Sequence, residues 1–90
     1  MNKTQLKKIT EAKTWFKKSD KFAIDFALKN FRTSRDENRI IDAYDYLRVS
    51  FKSNSDFKKI QKFYNSKNEF KFKDYVKLCK MLKKFVKTFN

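Results

Sequence analysis

Lys73-Asp74-Tyr75-Val76-Lys77-Leu78-Cys79-Lys80-Met81-Leu82-Lys83-Lys84-Phe85-Val86-Lys87-Thr88-Phe89 reads as one amphipathic helix. At 100° per residue, Tyr75, Leu78, Cys79, Met81, Leu82, Phe85, Val86 and Phe89 share one arc. Lys73, Lys77, Lys80, Lys84 and Lys87 recur at spacings of 4, 3, 4 and 3 on the other, with Lys83 beside them. A helix of this length runs about 25 Å at 1.5 Å per residue, so the lysines form a linear cationic ridge. Such a ridge matches an extended anionic surface, of which nucleic acid is the commonest. A solvated outer face on a packing helix has the same spacing, so the pattern alone defines a class of function.

Around this helix, ninety residues allow one domain and no second core. Apolar residues make up 40% of the chain, including 11 Phe, enough to outweigh the 38% charged residues and fold. Gly, Pro and His are all absent. Tight hairpins and phosphate-cradling loops thereby lose their usual residues, which favours helices joined by Asn/Ser turns. The usual neutral-pH acid/base and the commonest zinc ligand are missing too. The single cysteine, Cys79, excludes an internal disulfide and a Cys-cluster metal site, and its place on the apolar arc reads as an inert thiol. No apolar run approaches 18 residues and the first residues lack a signal-peptide core, so the expected setting is cytoplasmic.

The net charge of +14 is segregated. Residues 1–19 carry +5, residues 20–56 balance seven basic against seven acidic side chains, and residues 57–90 set eleven Lys against Glu69 and Asp74. Lys, Asn, Phe, Ile and Tyr all have A/T-only codons, so a compositional drift would raise lysine content but would not by itself segregate it.

Taken in order, the first helix is expected over about residues 4–18, with Leu6, Ile9, Ala12 and Phe16 on its buried stripe. Trp15 falls away from that stripe. It either widens the buried face or stands among lysines as an aromatic able to stack on a base or anchor a partner. A second helix from Ser19 or Asp20 to about Phe31 is apolar nearly all round and belongs in the centre. Ser34 followed by Glu37 is a capping box opening a third helix over about residues 35–52, with Ile40, Ile41, Ala43, Tyr44, Leu47 and Phe51 as core. Asp42, Asp45, Arg39, Tyr46 and Val49 face outward. Arg32, Arg35 and Arg39 could clamp a phosphate or simply pair with nearby acids.

Ser55 is the expected cap of a short fourth helix over about residues 56–65, packing Phe57, Ile60, Phe63 and Tyr64 inward. Its other face offers Lys58, Lys59, Gln61, Lys62 and Asn65, a set able to hold phosphates and read base edges. That makes helices three and four a helix-turn-helix-like pair. Phe70-Lys71-Phe72-Lys73 is either a short extended piece or the first turn of the last helix.

The expected architecture is all-α, a compact single domain of four to five short helices. No supported nucleophile–base pair, metal cluster or carboxylate pair is legible, so a non-enzymatic protein without metal or cofactor is expected. The leading function is nucleic-acid binding (DNA or RNA) through phosphate contacts by Lys58, Lys59, Gln61, Lys62, Lys73, Lys77, Lys80, Lys84 and Lys87. Lysine rather than arginine fits point-charge contact with backbone. The alternative is an interaction module of the kind carried by phage and mobile elements, docking on an acidic host protein through Trp15, Tyr46 and Val49. Membrane binding would need the apolar face of the last helix to be free, whereas a small domain requires that face as core.

Overall fold

In the computed structural model of the chain, residues 1–14, 16 and 34–89 are described, with the backbone alone at 34–36. Four α-helices lie among them: α1 (residues 3–14, residue 16 being helical too), α2 (Ser34–Phe51), α3 (Ser55–Asn65) and α4 (Phe72–Lys87). The expected helix between about residues 20 and 31, Trp15, Arg32 and the side chains of the Ser34 cap and Arg35 lie outside the described residues. The Cα radius of gyration, 12.7 Å, is close to the roughly 12 Å of a compact chain this long.

Each helix buries the stripe that its 3.6-residue period sets up. Ile9, Ala12 and Phe16 come from α1, Ile40, Ala43, Tyr44, Leu47 and Phe51 from α2, Phe57 and Ile60 from α3, and Leu78, Leu82, Phe85 and Val86 from α4. Aromatic rings join these stripes. Tyr44 stacks on Tyr64 at 4.3 Å and on Phe57 at 5.7 Å, while Phe57 meets Phe85 edge-on at 5.2 Å. Phe85 in turn meets Phe51 and Phe89.

The ring contacts also fix directions. Phe57 at the start of α3 packs on Phe85 near the end of α4, while Phe70, just past the end of α3, packs on Phe63, Tyr64 and Tyr75. Thus α3 and α4 run antiparallel. The short piece at Phe70–Lys73 resolves in the same place: Lys71 is the extended N-cap and α4 begins at Phe72.

Three expectations are corrected. Leu6 is 54% exposed, because Gln5 takes the first position of the buried stripe and donates through Nε2 to the Ser50 carbonyl at 2.9 Å. Spacing supports the exchange: Gln5, Ile9, Ala12 and Phe16 lie at i, i+4, i+7 and i+11. The cap of α3 is Asn54 rather than Ser55. With φ −71° and ψ 133°, Asn54 accepts the Asp56 and Phe57 amides on Oδ1, at 2.9 and 3.1 Å. Tyr46 is half-buried rather than facing solvent: its hydroxyl donates to Glu11 of α1, and the Lys8 ammonium lies 4.6 Å over its ring. No described helix is long and apolar enough to cross a membrane.

Candidate nucleic-acid interface

The ridge of α4 is built by burying the opposite side. Leu78, Leu82, Phe85 and Val86 turn towards α2 and α3, and the period then places Lys73, Lys77, Lys80, Lys84 and Lys87 within an arc of about 80° on the far side. All five are exposed, and among the described residues none forms an ion pair. Lys83 sits at the border of the two faces, half-buried. Burial there, reinforced by the nearby Lys87, pushes its pKa below the usual lysine range.

The acid of α4 is kept out of this face. Asp74 is buried, where its Oδ1 pairs with the Lys67 ammonium at 2.9 Å and its Oδ2 accepts the Lys71 amide at 3.0 Å. The hydrogen bond from Lys67, followed by that from the Lys71 amide, holds its carboxyl below the ordinary aspartate pKa. A negative group in the first turn also suits the positive end of the helix. The carboxylate thus caps the start of α4 from the buried side, and of the exposed arc it feels only the neighbouring Lys73.

On α3, Lys58, Lys59 and Lys62 are exposed on the side away from Phe57 and Ile60. Gln61 is half-buried and turned back towards α2, donating to the Lys52 carbonyl at 3.0 Å. It therefore braces the turn at residues 52–54 that joins α2 to α3. The two lysine sets meet where the Lys77 ammonium lies 4.8 Å above the ring of Phe63. That is cation–π geometry, and it ties the α4 ridge to the flank of α3.

The remaining candidates sit elsewhere. Val49 is 62% exposed on α2, on the same outward side as the exposed Asp42 and Asp45. Tyr46 is drawn into the α1–α2 contact by Glu11 and Lys8, and its hydrogen bond to Glu11 raises its phenol pKa. Cys79 is half-buried on α4, and burial raises its thiol pKa. Sequence reasoning missed the bracing roles of Gln5 and Gln61. The only available signal was an amide side chain at the edge of an apolar stripe.

With the geometry in place, comparison of the chain with family models, curated proteins and solved structures finds no match.

Proposed function

We propose that this protein binds nucleic acid through its phosphates, with little sequence preference, using the exposed lysines of α4 and the neighbouring α3. The observation that carries this reading is the α4 arc itself: five exposed lysines on one helix face without a carboxylate partner among the described residues. A compact ammonium on a flexible stem suits a phosphate as a point charge and does not demand a particular base. Docking on an acidic protein through Tyr46 and Val49 draws less support, because the Tyr46 hydroxyl is engaged by Glu11.

The test is fluorescence anisotropy of labelled duplex DNA, single-stranded DNA and RNA at about 50 and 200 mM salt. The five α4 lysines alone give a log–log salt slope of about −4.5 on a duplex, so this fourfold rise in salt weakens binding at least about 500-fold, and each α3 lysine that joins steepens the slope by about 0.9. Lys77→Glu/Lys80→Glu/Lys84→Glu, verified as folded by circular dichroism, is expected to abolish binding. Absence of binding to all three nucleic acids at 50 mM salt would sink the reading.

A further inference from the structure

The five α4 lysines resolve into two straight stripes. Lys73, Lys80 and Lys87 are seven residues apart, as are Lys77 and Lys84, and a seven-residue step is close to two full turns. The second stripe leans towards α3, since Lys77 reaches over Phe63. On α3, whose axis packs beside α4 at the roughly 8–10 Å usual for neighbouring helices, Lys59 and Lys62 are also exposed. The charged surface is therefore the outward-curving side of one helix, its five cations within an arc of about 80°, with further exposed lysines on the neighbouring α3.

We infer that the ligand is double-stranded DNA, with α4 seated along the major groove. This rests on the phosphate-binding reading above. A helix with side chains is about 10–12 Å across and the B-form major groove is about 12 Å wide, so the fit is direct. From Lys73 to Lys87 the ridge rises about 21 Å, long enough to follow the groove walls. Lys73, Lys80 and Lys87 face one sugar-phosphate strand. Lys77 and Lys84, extended by Lys59 and Lys62, face the other. A single strand requires the reverse shape, a basic trough with aromatic platforms for unstacked bases. The A-form major groove is too deep and narrow to admit the edge.

The experiment compares duplex DNA, the matching single strand and the matching RNA duplex by anisotropy across about 50–200 mM salt. Two variants accompany the native chain, Lys73→Gln/Lys80→Gln/Lys87→Gln and Lys59→Gln/Lys62→Gln. Gln is a good helix former, so helicity is expected to persist; Lys80→Gln alone serves if the triple variant does not fold. The expected result is duplex DNA bound at least tenfold tighter than the other two. The salt slope should fall by about 2.7 in the triple variant, 1.8 in the double and 0.9 in the single. A minor-groove-filling dye should leave affinity unchanged. Ridge-dependent binding that favours the single strand or the RNA duplex, or that the dye displaces, overturns the groove assignment and leaves phosphate binding standing. An unchanged slope in the Lys59/Lys62 variant overturns the second flank. Absence of binding to all three ligands removes the underlying reading instead.

Discussion

The N-cap of α3 offers a sharp test of how this small domain sets its helix boundaries. A helix start leaves four backbone amides without intrahelical acceptors, and Asn54 accepts two of them, from Asp56 and Phe57. Asn54→Ala removes both acceptors and should cost about 1 kcal/mol. For a chain of this size that lowers Tm by roughly 4–8 °C. Asn54→Gly should cost only a few tenths of a kcal/mol, since the cap then differs by solvation of the amides. Asn54→Asp keeps the acceptor and adds a negative charge at the positive helix end, so it should be neutral or stabilising. Ser55, the other good capping residue, is already inside the helix and exposed; Ser55→Ala should therefore stay within about 0.5 kcal/mol. Thermal and urea unfolding followed at 222 nm would measure all four variants. If Ser55→Ala costs as much as Asn54→Ala, the assignment of the cap is wrong.

Two other groups give direct tests. The folded carboxyl of Asp74 has its pKa lowered by Lys67 and the Lys71 amide, so its stabilising contribution is complete above the unfolded value near pH 4. It is lost as pH falls through the lower folded value. Tm of the native chain should consequently drop more steeply between about pH 4 and pH 2 than that of Asp74→Asn; equal slopes would remove Asp74 from the account. For Cys79, burial raises the thiol pKa, so a thiol-reactive disulfide reagent at neutral pH should modify it slowly and speed up when denaturant unfolds the chain. Equal rates folded and unfolded would show that the thiol is not protected.

The helix faces were legible because their burial follows the 3.6-residue period: the apolar arc of α4 goes inward and its lysines outward, as spacing requires. Details that depend on a neighbour from a distant part of the chain were not. Periodicity puts Tyr46 on the outer half of α2, but Glu11 and Lys8 of α1 cover it from 35 and 38 residues away. Leu6 and Gln5 exchange places because the end of α2 presents the Ser50 carbonyl to α1. Asn54 and Ser55 are both competent caps, and backbone geometry selects the one with extended φ and ψ. At the candidate site, the lysines could be read individually. Their union with α3 could not, because it hangs on the contact of Lys77 with Phe63.

The crowding of ammonium groups along α4 also has a consequence for the free protein. Lys73 and Lys77, and Lys80 and Lys84, stand at i, i+4, the spacing at which like charges oppose a helix. Lys83, whose pKa is lowered first by burial, meets a smaller repulsion of the same kind from Lys87. Added electrolyte screens these pairs, since the Debye length shrinks from about 10 Å at 0.1 M to about 3 Å at 1 M. The unliganded domain should therefore melt at a higher temperature as ionic strength rises. The salt that detaches a polyanion from this face would steady the helix that carries it.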